Sequence, residues 1–251
     1  MGDPISCTLL RSAPTMTNQN ILFRICSVEE AAKFEERLCK SEQSKWHRRL
    51  TELSLPNAYE QFEGDKNGAR LFAAFFDLRL ASSMSNEEVY GFGPNWFEYF
   101  FSTQIDGRGV LDSEEEFEAK LKSYGHQTAF ILRFRALLDK IMGFLVLLKT
   151  PEEYDRFVSS RSRKKAFGKL FDALELDPEI LKSIDTSVEV IDSNFRTAEA
   201  HGTGVLRRHV FQVNALDSEH RDILLIQWKA VTDVVNKLPT IIEDWHAKKK
   251  A

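Results

Sequence analysis

The sequence predicts an all-α fold: a multi-helix, bundle-like single domain with an N-terminal helical extension. Three observations carry this. Helix-start signatures recur along the chain, no segment shows strand alternation bounded by hairpin turns, and long stretches carry apolar residues at helical spacing. Of the 251 residues, 43% are hydrophobic and 29% charged, which supplies a packed core and argues against wholesale disorder. Phe, with 19 copies, outnumbers Tyr with five and Trp with four. Phe has no polar handle, so most of these rings belong in the core.

The elements come in order along the chain. Residues 1–19 hold no long apolar run and read as a flexible leader, with Met16 a candidate start. Ser27, three residues before Glu30, opens a helix over 28–39; a second is expected over 41–55 and a third over 67–82. Ser85 before Glu88 and Ser113 before Glu116 repeat the start signature. The glycines at 91 and 93 and the 106–109 loop are the clearest breaks, and Gly107 marks the best boundary between an N-terminal helical part, 20–106, and a C-terminal bundle, 107–251. Between the breaks lies a helix over 94–104. Helices over 114–123 and 127–148 come next, the second carrying Phe130, Phe134, Leu137, Ile141, Leu145 and Leu148 on one stripe. Thr150 before Pro151 starts a helix over 151–159, and another covers 162–174. Asp177 before Pro178 caps a helix over 178–200. The last two cover 205–214 and 218–238, where Leu224, Trp228, Val231, Val235 and Leu238 form a stripe that Pro239 ends or kinks.

Composition excludes several function classes. The net charge of −4 argues against a dedicated duplex-DNA binder. Arg133, Arg135, Asp139 and Lys140 interrupt the longest apolar stretch, so it is a core helix and not a membrane span. Three cysteines, Cys7, Cys26 and Cys39, form no disulfide framework or zinc motif, and free thiols suit a cytoplasmic location. Phosphate loops, dinucleotide fingerprints, HExxH and nucleophile elbows are absent, and the six histidines lack ligand spacing, so no metal or cofactor is expected.

Three constellations remain. The rings between Phe92 and Phe101, including Trp96, make either a core-packed helix or a stacking platform. The basic clusters at 45–49 and 161–169 make either solvated helix faces or phosphate contacts; Phe167 and Leu170 mark the second as an amphipathic helix with a basic face. The third is the run from Arg196 through His201 to Arg207 and Arg208. A guanidinium can hold a phosphate while a neutral imidazole takes the proton from a ribose 2′-hydroxyl, which is metal-free phosphodiester chemistry. On a continuous helix, however, Arg196 is also spaced to pair with Asp192 or Glu199.

Arg196 and His201 resemble the R-x(4–6)-H signature of the HEPN superfamily, all-helical proteins that often dimerise. Thr197 comes directly after the arginine, where the family most often has Asn, Asp or His. The resemblance implies a metal-independent ribonuclease acting on RNA as a homodimer. In it Arg196 and His201 are catalytic, and Glu199, Arg207 and Arg208 contact substrate. The alternative from the residues alone is a non-catalytic helical interaction or small-ligand-binding module.

Overall fold

The computed structural model describes residues 27–41, 54–90, 114–200, 204–207 and 218–250, and these are helical apart from short turns, with no strand among them. The all-α fold class expected from the sequence is the one observed. The leader, residues 42–53 of the expected 41–55 helix, the Phe92–Phe101 rings, Ser113 and the Gly107 boundary lie outside the described residues.

The chain opens with α1 (Val28–Ser41), capped as expected: the Ser27 hydroxyl accepts from the Glu30 backbone N–H at 3.2 Å. α2 (Leu55–Phe62) begins where the sequence suggested a helix should end. Ser54 accepts from the Asn57 N–H at 3.3 Å, and Pro56 sits in the first turn, where its missing donor costs nothing. A tight turn leads to α3 (Gly68–Tyr90). A Cβ on Gly68 would stand 2.1 Å from the Phe62 carbonyl oxygen, so only glycine permits this approach. Ser85 does not start a helix. It is buried inside α3, and its hydroxyl donates to the Ala81 carbonyl at 2.8 Å, one turn back.

The centre of the fold is α4 (Glu114–Lys149), a single helix of 36 residues where two were expected. It runs through Gly125 without a break. The cost of a mid-helix glycine is about 1 kcal/mol, small beside the burial further along. Phe134, Leu137, Leu138, Ile141, Met142, Phe144 and Leu145 are all fully buried. They fall within an arc of about 160° of α4, the broad apolar face of a core helix packed on several others. Burying each such side chain contributes about 1.5–3 kcal/mol.

Thr150 ends α4 and caps no helix after it: its hydroxyl donates to the Val146 carbonyl at 3.2 Å. After a 3-10 turn (Pro151–Glu153) come three short helices, α5 (Tyr154–Val158), α6 (Arg163–Gly168) and α7 (Phe171–Leu174). The expected 162–174 helix is thus divided at Lys169 and Leu170. Glu175, at φ 48°, closes α7 in the left-handed region. α8 (Pro178–Ile191) is capped by Asp177, which accepts from the Glu179 N–H at 2.9 Å. It continues into a π-helical turn (Asp192–Arg196) and a last α-turn (Thr197–Ala200).

Helix α9 (Ser218–Lys250) passes through Pro239, which the sequence suggested would end or kink it. Proline removes the bond that residue 239 would donate to the Val235 carbonyl. Leu238, Ile241, Ile242 and Trp245 are buried on both sides of it, and their burial holds the helix together.

Helices α3, α8 and α9 pack on α4, and α2 on α3. Two aromatic clusters bind the layers. Trp228 of α9 meets Phe130 and Phe134 of α4 edge-on, at 5.4 and 5.2 Å. Phe62 of α2 meets Phe144 at 6.3 Å and Trp245 at 5.8 Å. Such pairs add about 0.5–1.5 kcal/mol beyond their buried area. One buried ion pair joins α1, α2 and α3. Glu35 accepts from Arg79, which is fully buried, at 2.8 Å and from the Leu55 N–H at 2.9 Å.

Candidate functional site

The Arg196 motif sits at the end of α8, where the helix changes geometry. The Thr197 N–H donates to the Asp192 carbonyl five residues back, which defines the π-turn. Nothing in the sequence signals this change, because apolar spacing continues evenly through Ile184, Val188, Ile191 and the fully buried Phe195. Single π-turns inside α-helices recur at functional sites.

Asp192 heads the turn and serves two arginines through one oxygen. Its Oδ1 accepts from Arg196 Nη1 at 3.1 Å and from Arg135 Nε at 3.0 Å. Arg135, on α4, also pairs with Asp139 one turn along at 2.7 Å, and Arg163 of α6 reaches Asp139 at 3.8 Å. The result is a chain of alternating charge, from Arg163 to Asp139, Arg135, Asp192 and Arg196, that ties α6 and the end of α8 to the central helix. Its members differ in exposure. The Arg135 side chain is 10% exposed and that of Arg196 is 50% exposed. Burial alone would lower the pKa of the Arg135 guanidinium, but Asp139 and Asp192 beside it outweigh that and hold it above its usual value.

The structure therefore places Arg196 on the surface in the i,i+4 pair that its spacing allowed. Glu199 lies in the terminal α-turn. Arg207 comes in the helical residues 205–207, exposed, beside the fully buried Leu206. His201 and Arg208 lie outside the described residues. Among the described residues, His220 of α9 brings an imidazole to the motif helix, its ring meeting that of Phe195 edge-on at 6.3 Å. Sequence reasoning missed it, because 25 positions separate it from Phe195 and only the packing of α9 on α8 brings the two rings together.

Arg135 was also missed as part of the site. In the sequence it shows only as a charge that breaks an apolar stretch. The charges around it are all used: Arg133 donates to the Met84 carbonyl at 3.1 Å, and Lys140 pairs with Asp77 at 2.5 Å.

Among the described residues no group of three His, Cys, Asp or Glu side chains could hold a metal ion. No described helix is long and apolar enough to cross a membrane. Neither a protein-family model, nor a curated protein, nor a solved structure matches this chain.

Proposed function

We propose that this chain is a non-catalytic helical module that binds a partner or a small ligand, and that Arg196 serves its fold. The observation that carries this is the shared Asp192 carboxylate. Arg196 closes an ion pair within its own helix, and the same oxygen anchors the buried Arg135 of α4. The Asp192–Arg135 pair ties the end of α8 to the central helix, and Arg196 adds a second partner to that carboxylate.

A second reading has an observation in its favour. Arg196 is half exposed, and such pairs contribute only about 0–1 kcal/mol. Asp192 would keep Arg135 as a partner if Arg196 swung away, so the guanidinium can be lent to a phosphate at little cost. That is what a HEPN-like, metal-independent ribonuclease requires. In it Arg196 holds the phosphate, His201 moves the proton, and Glu199, Arg207 and Arg208 meet the RNA, with a homodimer sharing the site.

Incubating the pure protein with mixed RNA in excess EDTA separates the two readings, with His201→Ala alongside. The first expects no cleavage by either protein. Cleavage that leaves 2′,3′-cyclic phosphate ends and disappears in His201→Ala would overturn it in favour of the second.

A further inference from the structure

The helices after α4 carry many cations, and they fall into two groups. On α6, Arg163 reaches Asp139, while Lys164 pairs with Glu189 and lies 3.8 Å from Asp185. These two side chains are spent on holding α6 to α4 and α8. Arg161, just before the Ser162 cap of α6, Lys165 within the helix and Lys169 just after it form another, exposed face. That face lines a cleft of about 530 Å³ between α5 and α6, which Arg156 also borders. Among the described residues, no carboxylate pairs with Arg161, Lys165 or Lys169. Glu153, the one acidic residue lining the cleft, is 3.5 Å from Arg156.

Like charges held close together repel one another. Here three stand in a row around a concavity, where converging positive charges raise the local potential and draw in anions. The cleft is also firmly built. Phe157 at its floor is buried, with its ring close over Gly143 of α4. Phe167 anchors α6 in the core, and the Ser160 hydroxyl donates to the Ser162 carbonyl at 3.1 Å across the connecting loop. An apolar floor under a polar rim, in a volume between about 300 and 1,000 Å³, is the usual form of a small-molecule site.

The spacing of the cations narrows the ligand. The three cations lie before, within and after the six-residue α6, which is itself about 9 Å long. A single carboxylate or orthophosphate meets only part of that row, whereas a chain of phosphates meets it along its length. The apolar floor of Phe157 and Leu170 leaves room for an organic group beside them. We propose that this cleft binds a small organic polyphosphate of mononucleotide size. This goes beyond the function proposed above and stands whatever Arg196 does, because none of the cleft residues belongs to the Asp192 network.

The test is calorimetric titration of the full chain with ATP, GTP, inorganic tripolyphosphate, adenosine and a uridylate dodecamer, at low and at higher salt. The nucleoside triphosphates should bind, more weakly as salt rises, and adenosine should not. Lys165→Gln and Lys169→Gln should each weaken binding about tenfold, the usual scale for a hydrogen bond to a charged group. Arg161→Gln should act in the same direction, and Lys164→Gln, on the salt-bridged face, should leave affinity unchanged. None of the four positions is buried, so each variant should keep the circular dichroism spectrum of the parent. Absence of triphosphate binding would overturn the proposal. So would affinity that survives Lys165→Gln and Lys169→Gln, since the site would then lie elsewhere. Equal affinity for tripolyphosphate and ATP would remove the organic part of the ligand. Tighter binding of the dodecamer, lost in the same variants, would replace the small ligand with a phosphodiester chain.

Discussion

Replacing Asp192 with alanine tests the role of Arg196 directly. The carboxylate holds two guanidinium groups in different surroundings. Arg135 has a side chain only 10% exposed, and it keeps Asp139 at 2.7 Å when Asp192 is lost. A hydrogen bond to a charged group contributes about 1.5–3 kcal/mol, and the surviving Asp139 pair keeps the loss below that of an isolated buried charge. Asp192→Ala should therefore cost about 2–3 kcal/mol, mostly through Arg135. Arg196 is half exposed and belongs to an i,i+4 surface pair, so Arg196→Ala should cost only about 0.5 kcal/mol. In a chain of this size 1 kcal/mol moves the melting temperature by about 2–4 °C, so the two variants should melt about 4–12 °C and about 1–2 °C below the parent. Urea unfolding of both variants and of the double variant gives the same quantities as free energies. The double variant should be no less stable than Asp192→Ala alone, because the partner of Arg196 is already gone. If Arg196→Ala costs as much as Asp192→Ala, the picture of a buried arm through Arg135 and an exposed arm through Arg196 is wrong.

Three further outcomes are expected. Phe134→Ala removes a fully buried ring in contact with both Phe130 and Trp228, and should cost about 3–5 kcal/mol in urea unfolding. Glu35→Ala strips the buried Arg79 of its carboxylate and should cost about 3–5 kcal/mol, whereas exchanging both for leucine should cost markedly less; equal losses would show that the ion pair itself, and not the broken half of it, carries the stability. Burial first, and the Lys248 charge second, lower the pKa of the Lys149 ammonium from its ordinary 10.5, against the pull of Glu175 and Asp244. The charged form therefore disfavours folding at any pH below the folded value. This penalty fades as pH rises through that value towards 10.5, where the unfolded chain loses its proton as well. Lys149→Met should raise the melting temperature at neutral pH, and the gain should shrink in alkaline buffer; a gain that is constant with pH would assign it to packing.

What the sequence determined by itself is local. Ser27 and Asp177 announce helix starts because a cap needs only the hydroxyl or carboxylate and the backbone N–H groups just after it. The stripe from Phe130 to Leu148 announces a core helix because periodicity is a property of the chain alone. The same local rule failed at Ser85, while the Thr150 hydroxyl turned back into α4 and Pro239 did not end its helix, all for one reason. Each sits inside or at the end of a helix whose long-range burial outweighs a preference of about 1–3 kcal/mol. The spacing of Arg196 from Asp192 was legible too, and so was the basic face around Lys165. Tertiary structure alone decided what those charges do. Asp192 acquires its second arginine from a position 57 residues earlier in the chain. Arg163 and Lys164 are drawn to Asp139, Asp185 and Glu189 on other helices, while Arg161, Lys165 and Lys169 are left facing a cleft. Charge pairing depends on distance through space, and a sequence fixes that distance only within a turn or two of helix.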